Sequence, residues 1–545
     1  MSTRALTAAR RPGAAVQRRP AGALAGLAAR LIRRGGLVVV ALAAGMSALV
    51  AATYEQLMAD SAVAGGLQSL ATNPAIRTLF GEPVALDDPG GFTVWRTGTV
   101  LAALIGVWCV LTTTRITRGE EDAGRWDILL AGRVPLQAAL ATHLLVVGAV
   151  PVAFGAAVSA SLAATGTDMN GAVVHGAGLS LLGVFFAATA ALSAQIHTAR
   201  SAATGTAIAV LAVTLLARMV GDGVDTVAWL RWLSPFGLLE LSQPYARNRW
   251  APLLVLAAAA ILLATAAVAV AGRRDVGGAL RSPAATRASR TALLGSVEGF
   301  ALRRLLPPLG GWAAGVASYF LLIGLIADTM TRFLTDNPAF ADAAVQAGFT
   351  GLATVEGYAA TIFALLALPV GGFAASRVDA FAKAEAGRHL ALLAAQPVSR
   401  IRLLAAETIP AVIGAVVLTT VAGLATWLGV TATPGDLGLT AALGGVWNTL
   451  PLALLSVGAA VLAFGWLPRA VTAIGAVPTV GGFLLLVIAQ SVNAPQWVVD
   501  VSPFAHLAAV PHTAPNWPAT AAMTVVTLIL VAAGAIGYRR RDLLS

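Results

Sequence analysis

The feature that most constrains this chain is a succession of apolar runs, each close to the length of a membrane-spanning helix, joined by short polar connections. A helix rises about 1.5 Å per residue, so about 20 apolar residues match the hydrocarbon layer of a bilayer. Such runs lie near 35–54, 94–113, 137–162, 172–194, 202–220 and 252–272. Six more follow a polar, Arg-bearing stretch from Arg273 to Pro308, near 311–329, 352–375, 404–430, 438–464, 470–490 and 518–538. Composition agrees, because 11% charged residues is under half of the roughly 25% typical of a soluble domain. The expected fold is an all-α polytopic membrane protein with about 12 transmembrane helices. An even number of spans puts both termini on one side.

The net charge of +11 is carried almost wholly by arginine, with Lys383 the single lysine. All but seven of the 36 basic residues fall on one side of this topology: the N-terminal arm, the 115–135 loop, Arg200, the central stretch, the 377–402 loop, Arg469 and Arg539 to Arg541. The exceptions are Arg77, Arg96, Arg218, Arg231, Arg247, Arg249 and Arg332. The asymmetry marks the arginine-rich side as cytosolic and argues against nucleic acid as the partner. The first apolar run is too long, and lacks the small-x-small exit, for a cleaved signal peptide, so it is expected to be a retained helix. The arm before it reads as a positive-inside segment, with Leu24 to Ile32 alternatively a short amphipathic helix on the cytosolic surface.

Short motifs recur in order along the two halves. Asn73-Pro74-Ala75 returns as Asn337-Pro338-Ala339, and Asp122-Ala123-Gly124-Arg125 as Glu385-Ala386-Gly387-Arg388, at spacings of 264 and 263. Ser234-Pro235-Phe236 returns as Ser502-Pro503-Phe504, Trp250 as Trp517, and Arg273-Arg274-Asp275 as Arg540-Arg541-Asp542, at spacings of 268, 267 and 267. With an even number of helices per half, the halves are parallel six-helix repeats, with a substrate route expected between them. The expected organisation is a cytosolic arm and interfacial helix at 1–34, repeat 1 at 35–275, a cytosolic linker and interfacial helix at 276–309, and repeat 2 at 310–545.

Between the second and third runs, Arg115 to Arg133 is charged yet amphipathic at helical period, with Ala123, Trp126 and Leu130 on one face. Glu121 and Asp122 precede Arg125 by four and three residues, which places a carboxylate–guanidinium cluster facing the cytosol. Its twin runs from Lys383 to Arg400, with Glu385 three residues before Arg388 and Ala386, Leu390 and Leu393 on one face. A solvated loop explains the charge but neither its duplication nor the apolar stripe, so both segments are read as protein-docking surfaces. Val224 to Trp250 is aromatic and interrupted by Pro235 and Pro244, and its twin is Val498 to Trp517. Tryptophan favours the headgroup layer and proline breaks a continuous span, so an outer re-entrant or interfacial hairpin is expected in each half.

Other chemistry is sparse. The lone cysteine, Cys109, lies in an apolar run, so neither a disulfide nor a thiolate metal site can be built. Six scattered histidines form no His-Glu-x-x-His pair, and no metal ligand set is assigned. Lys383 is not preceded by the glycines of a Walker A loop, so no nucleotide site is expected in this chain. Arg96 and Glu356 occupy near-equivalent outer helix ends and are a candidate ion pair across the pseudo-two-fold, the alternative being that each snorkels to water from its helix end. Helices rich in Ala, Val, Leu and Gly suit an amphipathic or apolar cargo entering from the bilayer, with Trp95, Trp108, Phe185, Phe186 and Trp447 as candidate lining residues.

On the Glu-Glu-x-x-Gly-Arg-type segment at 120–125 with Leu129-Leu130 after it, the Gly387 to Arg400 segment, the Ser-Pro-Phe segments and the Arg-Arg-Asp exits, the chain resembles the permeases of type-2 ATP-binding-cassette exporters. The likeness covers nearly the whole chain. It resembles in particular the fused double-length branch associated with polyketide-antibiotic and multidrug efflux in actinobacteria, which implies a multi-pass protein of the bacterial plasma (inner) membrane. The resemblance implies that the segment after the second helix is a coupling helix seated in a cytosolic ATPase. Carried over by position, Glu120, Glu121, Asp122, Arg125 and Asp127 form the first coupling site, and Glu385, Arg388 and His389 the second. The second departs from the pattern, with Ala384 and Leu390 where the first half has Glu121 and Asp127. Trp232, Pro235, Phe236, Pro503 and Phe504 then cap the outward exit as an outer gate. Two coupling sites imply two ATPase copies on separate chains, which bind the ATP and Mg, while this chain holds no cofactor and exports a small molecule. The alternative is a proton-coupled secondary transporter of the major-facilitator type, which also has two parallel six-helix repeats. Against it stands the want of a carboxylate near the middle of any expected helix.

Overall fold

A computed structural model describes residues 20–58, 74–132, 134–280, 292–338, 351–387, 396–491 and 494–541. Among these residues the regular structure is entirely helical. The main helices of the first half are α1 (Pro20–Ala52), α2 (Pro89–Ile116), α3 (Leu136–Ala164), α4 (Met169–Ile196), α5 (Arg200–Gly223) and α6 (Ala251–Ala271). Those of the second half are α7 (Val297–Asp336), α8 (Val355–Ala386), α9 (Arg400–Thr431), α10 (Leu439–Trp447 continuing as Leu450–Trp466), α11 (Val471–Ala476, Val477–Gly481 and Gly482–Ser491) and α12 (Trp517–Arg540). Eleven of the described helices are long and apolar enough to cross a membrane, and the protein is a multi-pass membrane protein. The twelfth apolar run is α11, broken in the middle by a π-helical turn over Val477–Gly481. Pro478 lies in that turn and cannot donate an amide to the preceding one.

Helix starts follow local chemistry. Asp88, Asp168, Ser296, Thr354, Ser399 and Asn516 each accept a hydrogen bond from a first-turn amide of α2, α4, α7, α8, α9 and α12. Two expected surface helices are absorbed into neighbouring spans. Leu24 to Ile32 is the first part of α1, which continues through Gly35 and Gly36 where Trp108 and Val150 pack close against the backbone. The interfacial helix expected before residue 310 is the start of the 40-residue α7, which runs on through Pro307 and Pro308.

The chain divides into two packing units. One comprises residues 1–54, 84–215 and 229–284, the other residues 55–83, 216–228 and 285–545. Residues 55–58, 74–83 and 216–228 pack within the second unit, where Leu79 joins the core and Arg77 lies 3.7 Å from Asp225. Arg218, expected near an outer loop, is buried in the last turns of α5 and paired with Asp222 at 2.7 Å.

Within the first unit α4 is packed by α2, α3 and α6, and α1 lies on α3. Within the second, α10 is packed by α8 and α12, and α7 lies on α9. Close approach is bought with glycine: a Cβ on Gly465 would stand 2.2 Å from the Gly534 carbonyl, and one on Gly534 2.4 Å from the Val461 carbonyl. Without a strong hydrophobic force between helices in lipid, such backbone contacts supply much of the association.

Candidate functional site

The first docking segment folds as two single-turn helices, Arg118–Asp122 and Arg125–Leu129, joined at Gly124 in the left-handed region (φ 69°). A side chain is disfavoured at that φ, which suits glycine. Trp126 is almost fully buried and packs with Leu136, Leu140, Ala191, Ala267 and Ala271, so it plugs the segment into α3, α4 and α6. Its ring centre is 5.4 Å from that of His143. The expected apolar face is only partly as drawn: Trp126 is inside and Leu130 half-buried, but Ala123 is exposed.

Glu121 does not face solvent with its neighbours. It is buried, with Arg118 at 2.8 Å and Arg274 at 2.5 Å, and it accepts a further 2.7 Å bond from the Gly277 amide. Arg118 Nε donates to the His197 carbonyl at 2.7 Å and its Nη2 to the Gly278 carbonyl at 2.8 Å. Arg274 Nε donates to Gln195 at 2.8 Å. One carboxylate thereby ties the docking segment to the end of α4 and to the exit of α6. Asp122 caps α5 by accepting from the Arg200 amide at 2.8 Å. The remaining groups point outward. Arg125, 57% exposed, is paired with Glu120, whose carboxylate raises the guanidinium's pKa above its ordinary value. Asp127 is exposed, and Ile128 is 79% exposed beside it. The result is a rigid base under a small mixed surface of Asp122, Arg125, Asp127 and Ile128.

In the second half Glu385 pairs with Arg541, which also donates to the Phe464 carbonyl at 2.8 Å and lies 4.9 Å over the Phe464 ring. Arg400 donates to the Tyr538 and Arg539 carbonyls, tying the start of α9 to the end of α12. The role of Glu385 is thus that of Glu121, not of Asp122: the sequence match at Asp122 is one residue out of register with the contact. Arg388 and His389 lie outside the described residues.

At the opposite ends of the helices, Leu230–Leu233 and Pro235–Leu241 form the first expected hairpin and Gln496–Asp500 and Pro503–His506 the second. Both are fastened alike. Ser234 Oγ donates to the Thr214 carbonyl at 2.6 Å, and Ser502 Oγ to the Gly482 carbonyl at 2.8 Å. Phe236 is buried against Phe186 with ring centres 5.6 Å apart, and Phe504 against Phe483 at 5.7 Å. Pro235 is buried, Pro503 rests on Gly482, and Trp232 is half exposed. Tyr245, seated against Gly90 and Gly171, hydrogen-bonds Thr167 at 2.9 Å, and burial pushes its pKa up to about 12.

Of the candidate lining residues, Phe186, Phe185 and Trp108 share the core of the first unit. Phe186 is fully buried in the first unit's core, Phe185 half-buried beside it, and Trp108 packs on α1 at Gly35. Trp95 stacks near Phe92 at 6.1 Å, and Trp447 is exposed with Nε1 donating to Thr420 at 3.0 Å. Arg96 is exposed over the Phe92 ring and Glu356 is exposed in the first turn of α8; neither makes an ion pair among the described residues. Sequence reasoning missed Arg118 and Arg274 as partners of Glu121, and Gln195 as the acceptor that holds Arg274. The signal was present in the joint recurrence of an acidic residue after the second helix and Arg-Arg-Asp after the sixth.

Fold and site together define a helical multi-pass membrane protein in which an acidic residue at the end of the second main helix of each half is locked to the exit of that half's last helix. A family model described as the C-terminal domain of multidrug efflux system permease Rv1217c matches the chain twice, at residues 22–271 and 294–539. The multidrug efflux system permease protein Rv1217c of Mycobacterium tuberculosis (strain ATCC 25618 / H37Rv) is 30% identical over 509 residues, spanning 93% of this chain and 92% of that protein. The chain belongs to this family of multidrug efflux permeases.

Proposed function

We propose that the chain is the membrane-spanning subunit of an ATP-binding-cassette exporter of amphipathic or apolar, drug-like small molecules, driven by two copies of an ATPase on separate chains. Those subunits bind the ATP and Mg, and the chain itself performs no hydrolysis. The observation that carries the reading is the first docking segment, whose base is locked by Glu121 and Trp126 while Asp122, Arg125, Asp127 and Ile128 stay exposed. A surface of an apolar knob ringed by charges suits a protein groove better than a lipid or a small molecule. The arginine-rich side is then cytosolic, in a bacterial plasma membrane, with both termini there. Closure of the ATPase pair on ATP would pull the segment, and the Glu121 tie would carry that motion to α4 and α6. The name of the relative supports efflux as the direction.

Affinity purification of the tagged protein from its native membrane, with the partners identified and ATPase activity assayed, tests this. The expected result is a co-purifying Walker A protein at about two copies per permease, matching the duplicated docking segment. A chain that purifies alone, without ATPase activity but competent for transport, would overturn the reading in favour of a proton-coupled secondary transporter.

A further inference from the structure

The second unit carries a charged cluster that the fold does not require. Arg304 on α7 donates to Glu407 on α9 at 2.9 Å, with side chains 24% and 9% exposed. Arg377 on α8 is half-buried and flanked by Ala374 and Val378, which share a core cluster with Leu403 and Leu404 of α9 and Phe300 of α7; it makes no hydrogen bond or ion pair among the described residues. Counting eight to ten residues from the arginine-rich ends of their helices, all three sit roughly 10–14 Å in, at one level. That level is the border of the apolar runs: Arg304 precedes the apolar part of α7, Arg377 follows that of α8, and Glu407 lies in the first turn of that of α9. At the 264-residue spacing shared by Glu121 and Glu385, the first half has Val40, Thr113 and His143 instead. The first half therefore carries neither arginine nor carboxylate at these positions.

A guanidinium offers five donors, and taking it partly out of water without an acceptor is costly. Glu407 is already engaged by Arg304, which leaves one net positive charge at the depth where phospholipid phosphates lie. We infer that Arg377, with Arg304 beside it, receives the anionic group of an amphiphile in the leaflet on the arginine-rich side, in the first place a phospholipid phosphate. An acidic group on exported cargo has the same chemistry, and that second source alone depends on the exporter reading.

Permease purified alone in detergent, without ATPase, is analysed by native mass spectrometry for retained phospholipid, comparing wild type, Arg377→Gln and Arg377→Lys. Retention is expected to fall about tenfold in Arg377→Gln, the equivalent of one charge-assisted hydrogen bond, and less in Arg377→Lys. The Arg304–Glu407 pair is left neutral in both variants, so thermal stability should not fall. If lipid retention is unchanged but export of acidic, and not of neutral, amphiphiles drops in cells carrying Arg377→Gln, the site stands with cargo as its anion. Unchanged lipid retention together with unchanged export of acidic amphiphiles overturns it. Because the lipid measurement needs no partner, its failure and the failure of the ATPase assignment are separable.

Discussion

Two carboxylates one residue apart in sequence, Glu120 and Glu121, belong to different physical regimes. Glu120 pairs with Arg125 at the surface, where water competes and such a pair contributes about 0–1 kcal/mol. Glu121 is buried between Arg118 and Arg274, and removing its charge leaves two desolvated guanidinium groups facing each other. Glu121→Gln should therefore destabilise the protein by about 3 kcal/mol or more, read as a lowered thermal midpoint in detergent. Arg125→Glu should leave the midpoint in place while abolishing drug-stimulated ATPase in the reconstituted complex. A Glu121→Gln protein as stable as wild type would show that the buried tie is not structural, and normal stimulated turnover in Arg125→Glu would remove the exposed face from coupling.

At the scale of helices, contact is set by where backbones can touch. α10 and α12 meet through Gly465 and Gly534, with a Cβ on Gly534 only 2.4 Å from the Val461 carbonyl. That neighbour is backbone and cannot swing aside, so Gly534→Val should force the helices apart at a cost of about 1–3 kcal/mol. Gly444, in the first part of α10, has nothing within 4 Å of its would-be Cβ. Gly444→Ala is expected to be neutral or to stabilise by up to about 1 kcal/mol, since alanine is the better helix former. Equal thermal midpoints for the two variants would mean that the α10–α12 crossing is looser than drawn. The short helices at 230–241 and 496–506 illustrate the same scale: Ser234 and Ser502 fasten them to carbonyls of the preceding helix.

For the whole molecule the testable quantity is sidedness. Cys109 is the single cysteine and is fully buried, so an otherwise native chain serves as the background for introduced thiols. In intact cells a membrane-impermeant maleimide should label Trp232→Cys and spare Ile128→Cys, with the order reversed in inside-out vesicles. Labelling of Ile128→Cys from outside would invert the topology and, with it, the direction of the docking face. The sequence was sufficient for the helical class and the apolar runs. Run length, arginine asymmetry and motif order are all properties of the chain read in one dimension, and the bilayer enforces them through the cost of exposing backbone polar groups to hydrocarbon. Helix ends were less legible, because nothing local stops α1 or α7 from continuing past the arginines into the span. What only the tertiary structure decided is which of several adjacent charges is inside. Glu121 is drawn in by Arg274, 153 residues away, and Trp126 is buried by helices that arrive later in the chain. Burial and pairing are set by partners distant in sequence, so a charge pattern alone marks where a site lies and leaves to packing which side chains form its base and which its face.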